Sequence, residues 1–428
     1  MIKPIKIGFV MLLLSIIVVW ILVWSGGVSP KINDSQEYLN CANNMVQKHV
    51  FYAGDLDEAL DFRLFSKRTI GYPLHLVFQY SSVALMTITS GGFLLLSFFL
   101  GLAILELITQ KSLAYKIYVF LFLFNVSALF HVSFILADLA LMALVTLGVY
   151  VAMIRNIAVV RKINLIAFLW CLGVLLKPVL LPSLVVWPLV FFYYRYRKGK
   201  WLPVVLVPVF VVLMVGARNH QKTSQFEYSS ISTINLGRYN AKLLIAHIHG
   251  YKAAQNYVSQ PIFAIPTNKR EYKKYASGVK SMAIQTISKD WVGYIKVHSL
   301  GVFKMVLDPG RFELFSIQNK SPLEVSLTEV LLAKDWVKLK SYIFEHPAVW
   351  VLFLGLFFLS VLKVLLFFFS TKQVLNNPAI LVVLLYFIGI AGPVGAARFL
   401  LPVGVLFLVC CSLGGLRILN FFQKSSKC

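Results

Sequence analysis

Among charged side chains this sequence is short of acid: 17 Asp and Glu stand against 41 Lys and Arg in 428 residues. Cysteine is scarcer, with five in all. Cys171, Cys410 and Cys411 lie in apolar runs, Cys428 is terminal, and only Cys41 falls in a predicted loop. No disulfide framework is therefore indicated, and no His or Cys spacing suggests zinc. A Gly-rich phosphate loop and a Walker motif are both missing from the sequence, which leaves ATP-driven transport without support. There is no internal repeat, no low-complexity tract, and no alternation of the kind that builds a membrane β-barrel. What fills the chain is apolar: 59% of its side chains are hydrophobic. Ile7–Trp24, Ile135–Ile154, Trp201–Ala217, Trp350–Phe369 and Phe399–Leu416 are solid runs near the roughly 20 residues that carry a helix across a bilayer. The predicted fold class is an all-α polytopic membrane protein, because only helices of this kind satisfy their backbone in lipid.

The net charge of +24 does not point to nucleic acid, because it sits in short clusters between apolar runs. Lys111 and Lys116, Arg155 to Lys162, and Arg195 to Lys200 mark loops on the cytoplasmic side. The first run, with Lys3 and Lys6 before it, reads as a retained signal anchor whose N-terminus is cytoplasmic. About ten crossings follow from the runs and the loop charges. They are Ile7–Trp24, Gly91–Thr109, Ile117–Phe130, Ile135–Ile154, Ile163–Leu176, Val179–Tyr194, Trp201–Ala217, Val349–Phe369, Val374–Ala391 and Phe399–Leu416. Ser25–Tyr72 becomes a first outer loop, and Pro73–Thr89 an interrupted, partly embedded piece. The chain divides into a transmembrane module (1–217), an outer polar domain (218–347) and a last group of spans with a basic tail (348–428). Within the polar domain, Asp290–Asp308 has helical apolar spacing and reads as an interfacial helix. With this topology Asp34, Asp138, Lys177, Arg218 and Arg398 all fall on, or just beneath, the outer surface. Ionisable groups at membrane depth face a cavity or the bundle interior, so their convergence suggests one outward-facing site.

Two short stretches carry the candidate chemistry. In "KINDSQEYLNCANN" (Lys31–Asn44), Asp34 precedes Ser35, Glu37 and Tyr38. Glu37 three residues on from Asp34 suits a capping box with Asn33 or Asp34 as N-cap, so from the local pattern alone Asp34 reads first as a helix cap. In "SKRTIGYP" (Ser66–Pro73), Lys67 and Arg68 precede a Gly-Tyr-Pro turn at the membrane entrance. Farther on, Asp138 stands at the head of the fourth span. It serves either as a buried salt-bridge partner or as a substrate contact. His131 would share its face if the helix continued. "DLD" at Asp55–Asp57, with Glu58 and Asp61 nearby, reads as the acidic face of a short loop helix and not as a metal site.

Together these stretches resemble the polyprenyl-phosphate-sugar glycosyltransferases, the membrane superfamily of GT-C fold that includes protein O-mannosyltransferases and lipid A aminoarabinose transferases. The likeness rests on Asp34-Ser35 with Tyr38, then Arg68-Thr69-Ile70-Gly71-Tyr72-Pro73. It continues in "HVSFILADLALMAL" around Asp138, in the Lys177-Pro178 step, in "ARNHQKTSQFEYSS" from Ala217, and in "ARFLLPVG" from Ala397.

That resemblance implies transfer of a sugar from a polyprenyl-phosphate donor to an acceptor glycan, lipid or protein. The reaction would take place on the extracytoplasmic face of the inner (cytoplasmic) membrane, with inversion. Asp34 is the implied base. Arg68, Arg218 and Arg398 are implied for the donor phosphate, with Lys67 and Lys177 as second choices, since guanidinium forks match phosphate oxygens. Tyr38, Tyr72, His131 and Asp138 are implied for sugar or acceptor. No cofactor is expected; a divalent metal is compatible with such chemistry, but nothing in the sequence indicates one. The alternative is a polytopic transporter or flippase of lipid-linked glycans. A third, an O-antigen polymerase or ligase, is disfavoured by the early Asp34.

Overall fold

A computed structural model describes residues 2–25, 33–79, 82–198, 203–317, 336–345 and 347–425. Residues 26–32 of the first loop, Lys200 and Trp201 before the seventh run, and 318–335 of the polar region lie outside them. The described residues contain helices and turns and no strand. In chain order the helices are α1 (Ile2–Ser25), α2 (Asn33–Gln47), α3 (Gly71–Phe78), α4 (Val83–Ile108), α5 (Ser112–Leu123), α6 (Val126–His131) and α7 (Asp138–Met153). Then come α8 (Val159–Leu176), α9 (Val186–Lys198), α10 (Val207–Thr223), α11 (Ile231–Ile234), α12 (Lys242–Val258), α13 (Lys269–Lys289), α14 (Trp291–Leu307) and α15 (Arg311–Ile317). The last are α16 (Trp336–Glu345), α17 (Pro347–Phe369), α18 (Thr371–Leu375), α19 (Pro378–Ile390) and α20 (Ala397–Ser425).

Among the described residues six helical stretches are long and apolar enough to cross a membrane: Val83–Ile108, Val159–Leu176, Pro178–Lys198, Pro203–Thr223, Trp350–Phe369 and Ala397–Gln423. Shorter apolar helices cover Ile5–Ile21, Ser112–Leu123, Asp138–Met153 and Pro378–Ile390. The protein is a helical membrane protein.

Boundaries follow local chemistry. α4 begins at Val83 because the Ser82 hydroxyl accepts from the Leu85 amide, so it starts well before the expected Gly91 and takes up much of the supposed embedded piece. Pro178 stops α8 at Leu176, since a residue before proline leaves the helical region. The third run differs most. Expected as one span, it breaks at Phe124–Asn125 into α5 and α6, and a buried non-helical segment (132–137) follows before α7 starts at Asp138. His131 therefore ends one helix and Asp138 opens another, and the shared face expected of them does not form. "DLD" corrects likewise: residues 55–58 form bends, not a helix. There Asp55 Oδ1 accepts from the Asp57 amide at 2.9 Å, the local side-chain bond by which Asp competes with helix.

The core centres on α20, most of whose span is buried. Around it pack α4, α5, α7, α14, α17 and α19, filling one apolar cluster that includes Leu94, Phe98, Tyr118, Phe122, Leu141 and Leu406. α17 crosses α20 so closely that a methyl group on Gly414 would overlap the Leu366 carbonyl. Outside this bundle, α11–α13 and the π-helical turn Asn235–Ala241 form a small unit around Tyr272, Tyr275, Val279 and Phe263. α14, expected as an interfacial helix, is a helix over Trp291–Leu307 whose N-cap is Asp290, accepting from the Gly293 amide at 2.8 Å. It packs on α12, α17 and α20.

The crossing gives a first prediction. Gly414→Ala forces α17 and α20 apart and costs about 1–3 kcal/mol, as core overpacking does. The thermal midpoint of the purified protein in detergent should fall. An unchanged midpoint would show that the crossing is looser than described.

Candidate active site

The site begins with α2. Its buried residues Ser35, Tyr38, Leu39, Cys41 and Ala42 recur at helical spacing and seat the helix on the bundle. Asp34 and Glu37, three apart, share a face. That face looks onto the loop carrying Lys67 and Arg68.

The loop is held in place from several directions. Ser66 Oγ donates to Glu227 Oε1 at 2.8 Å, Ser229 Oγ donates to the Lys67 carbonyl at 2.8 Å, and Ser230 Oγ donates to the Arg63 carbonyl at 2.7 Å. Thr69 Oγ1 donates to the Leu176 carbonyl at the end of α8 at 2.8 Å. Gly71 lies against the same helix end: a Cβ there would stand 2.7 Å from the Leu175 carbonyl oxygen. Only glycine permits that approach. Tyr72 then packs edge-on to Tyr38, with ring centroids 4.9 Å apart.

These elements produce one ion network. Arg68 Nη2 donates to Asp34 Oδ1 at 2.5 Å and its Nε to Glu37 Oε2 at 2.7 Å. Lys67 Nζ donates to Glu37 Oε1 at 2.6 Å. Arg398, in the first turn of α20, donates from Nη2 to Asp34 Oδ2 at 2.7 Å. The Asp34 carboxylate is thus shared by two guanidinium groups, one from the first loop and one from the last helix. The Arg68 guanidinium also lies over the Tyr38 ring, 4.8 Å from its centroid. Burial by itself would raise the Asp34 carboxyl, but the charges of Arg68 and Arg398 and their hydrogen bonds outweigh it and hold it well below the usual carboxylate range. Burial pushes the Tyr38 phenol up to about 12, so it stays neutral. Burial disfavours the Arg68 cation, yet the acids around it more than compensate and its pKa rises.

Beside this network is a second pair. Lys177 Nζ, just past α8, donates to Asp138 Oδ1 at 2.7 Å. Asp138 and Lys177 both fall within electrostatic reach of Arg398. Several buried polar atoms here have no hydrogen-bond partner among the described residues: Asp138 Oδ2, Arg398 Nε, Ser35 Oγ and His131 Nε2. Buried polar atoms are nearly always paired, so an unfilled group of acceptors and donors beside a strong ion network is suited to a polar ligand. The guanidinium N–H groups suit an anion, and the free carboxylate oxygen of Asp138 suits a hydroxyl.

Of the residues expected in one site, the structure brings together Asp34, Tyr38, Lys67, Arg68, Tyr72, Asp138, Lys177 and Arg398. Tyr38 and Tyr72 are buried against Arg68 and each other, and present no open ring face. Arg218 stands apart. Its guanidinium donates to the Phe51 and Phe65 carbonyls at 2.6 and 2.5 Å and to Asn219 Oδ1 at 2.8 Å, which ties the first loop to α10. His131 turns towards Glu313 and not along α7. Its Nδ1 donates to the Ser127 carbonyl at 2.7 Å and lies 3.5 Å from Glu313 Oε1, which also accepts from Ser127 Oγ at 2.6 Å.

Sequence reading missed three acids. Glu37 was taken as a capping partner, although its place one turn from Asp34 was a usable signal. Glu227 anchors Ser66, Tyr272 and Lys280, and Glu313 is 2% exposed; neither has a local pattern that announces it. The described residues hold no group of three or more His, Cys, Asp or Glu placed to bind a metal ion.

Comparison with protein-family models, curated proteins and solved structures finds no match for this chain.

The second prediction concerns Asp34. A carboxyl whose folded pKa is depressed stabilises the fold at every pH above its ordinary value of about 3.9, and the contribution is lost as pH falls through the depressed value. Asp34→Asn should therefore cost roughly 1–3 kcal/mol at pH 7, read as a lower thermal midpoint. The gap to wild type should hold steady down to about pH 4.5 and narrow below the ordinary carboxylate range. A gap that widens in acid would contradict the ion network.

Proposed function

We propose that this chain is an integral-membrane glycosyltransferase that takes sugar from a polyprenyl-phosphate donor and passes it to an acceptor hydroxyl at the outer face of a cytoplasmic membrane. In this reading the four shorter apolar helices join the six long ones in about ten crossings of GT-C type, because a helix of 12–17 residues buried among neighbours still reaches most of the way through the hydrocarbon. The observation that carries the proposal is a carboxylate shared by two guanidinium groups, with a second acid–cation pair beside it, where helix ends and one ordered loop meet.

The chemistry needs a base at the acceptor and cations at the leaving group. The acceptor oxygen attacks the anomeric carbon while the bond from that carbon to the phosphate oxygen breaks. The hydroxyl proton passes to Asp34, and polyprenyl phosphate departs with the bonding electrons, inverting the centre. Arg398 is the preferred phosphate ligand, since its Nε is unpartnered and its Nη2 already reaches Asp34. Arg68 is the second.

The resting network also supplies a control on basicity. Held by two cations, Asp34 is a poor base. A phosphate that draws those N–H groups to itself removes the interactions that depress the carboxyl and so raises its pKa. The donor would thereby prepare its own base. Asp138, with one oxygen on Lys177 and the other free, would take a hydroxyl of sugar or acceptor.

A second reading, a transporter of lipid-linked glycans, draws on the helix break at Phe124–Asn125, since transporters build sites at discontinuous helices.

The test supplies radiolabelled polyprenyl-phosphate sugars to purified protein with cell-envelope acceptors. Wild type should form a new glycosidic bond, and Asp34→Asn should lose at least about 10²-fold in rate, the usual share of a general base. Arg398→Ala should raise the donor KM as well as lower kcat. Undiminished transfer by Asp34→Asn would remove Asp34 from the chemistry. Label that crosses a vesicle membrane without forming a bond would favour the transporter.

A further inference from the structure

A second polar feature lies away from this site, inside the membrane-spanning bundle. α17 is among the most apolar helices of the chain, yet Lys363 lies within it, six residues before its end at Phe369 and so about 9 Å from that end. Ionisable residues at such depth are expensive and mark binding or transport. Lys363 lines a partly open slot between α14, α17, α20 and the α5–α6 break. Its ammonium group makes no hydrogen bond or ion pair among the described residues.

The slot has a direction. Along α20 its lining runs from Ala397 to Leu408, about 16 Å of helix. Asp308 and Ser127 stand at one end, Asn125 lies midway beside Gly404, and Lys363 and Ser360 lie towards the other. Between them the walls include Val306, Leu356, Leu400 and Leu401. Asp308 forms no ion pair with the lysine among the described residues. Its carboxylate already accepts from the Gly310, Arg311 and Ala397 amides, at 3.0, 2.9 and 3.4 Å. No acid follows Glu345 in the sequence, so α17 to α20 contain cations without a single carboxylate. At the end of α17 two more cations gather: Arg417 Nη1 donates to the Phe369 carbonyl at 3.2 Å, and Lys372 follows in α18.

We infer that this slot binds one anionic glycerophospholipid from the leaflet in which α17 ends, its phosphate at Lys363 and one acyl chain along the apolar walls towards the midplane. The charge is complementary, since basic pockets between membrane helices take anionic headgroups. The placement also matches a lipid's own orientation, with the headgroup near the end of the helix and the chain running inward. This binding is independent of sugar transfer and of Asp34.

The test purifies the protein from membranes in mild detergent, washes it to remove loosely held lipid, and measures extracted lipid per chain by mass spectrometry. Wild type and Lys363→Arg should retain about one anionic phospholipid, and Lys363→Met about five-fold less, the factor that one cation near an anionic headgroup contributes. Leu400→Trp keeps the lysine but fills the slot, and should lose the lipid as well. It reports on the site even if Lys363→Met fails to fold. Equal retention by folded Lys363→Met, equal retention by Leu400→Trp, retention of zwitterionic lipid as readily as anionic, or retention of a polyprenyl phosphate in place of phospholipid would each overturn the inference.

Discussion

A carboxylate taken out of water must find a cation, and this chain has few carboxylates to place. That constraint organises the molecule. Where acids are buried, each meets a basic or hydroxyl partner: Asp34 with Arg68 and Arg398, Glu37 with Lys67 and Arg68, Asp138 with Lys177, and Glu313 with Ser127 and His131. Each pairing joins segments far apart in sequence. Removing one partner of such a pair leaves an uncompensated charge, which costs far more than the pair itself contributes. The pairs therefore act as constraints on register. α2 cannot slide along the bundle without separating Asp34 from Arg398, and α20 cannot rise without the same loss.

The sequence made the apolar half of this structure readable, because solid runs and basic loops reflect one requirement, the satisfaction of backbone and charge in lipid. The helix break at Phe124–Asn125 was not readable. The run from Ile117 to Phe130 is apolar but for Asn125 and Ser127, and two small polar side chains do not by themselves distinguish a span from two short helices packed on α20. Asp34, Arg68 and Arg398 could be nominated because each is a charge beside an apolar run, in a stretch that carries the family resemblance. Arg218 met the same description and went elsewhere. A guanidinium with two backbone carbonyls in reach satisfies itself on them, and carbonyl positions depend on how the first loop folds. Glu227 and Glu313 lay beyond local reading for a related reason: their partners lie 45 to 186 positions away and carry no common motif.

Whether Asp34 is a helix cap or a chemical group has a geometric answer. Both of its oxygens go to guanidinium groups that come from outside α2. A capping carboxylate directs an oxygen to an amide of its own first turn. Bonds to guanidinium groups bind the anion tightly, but they are exchangeable in a way that backbone amides are not. A competing anion can take the same N–H groups without unfolding a helix turn.

The loop around Arg68 is held firmly, and its guanidinium is fixed over Tyr38 and between Asp34 and Glu37. Ser66 and Lys67 are tied to Glu227 and Ser229, and Thr69 is tied to the end of α8. Tyr38 supports the guanidinium from below. The ties from Glu227 and Ser229 come from the stretch after α10, which contributes no charge to the ion network itself. A shift of α13 would move Tyr272 and with it Glu227, Ser66 and the Arg68 loop, without touching the carboxylate that Arg68 holds.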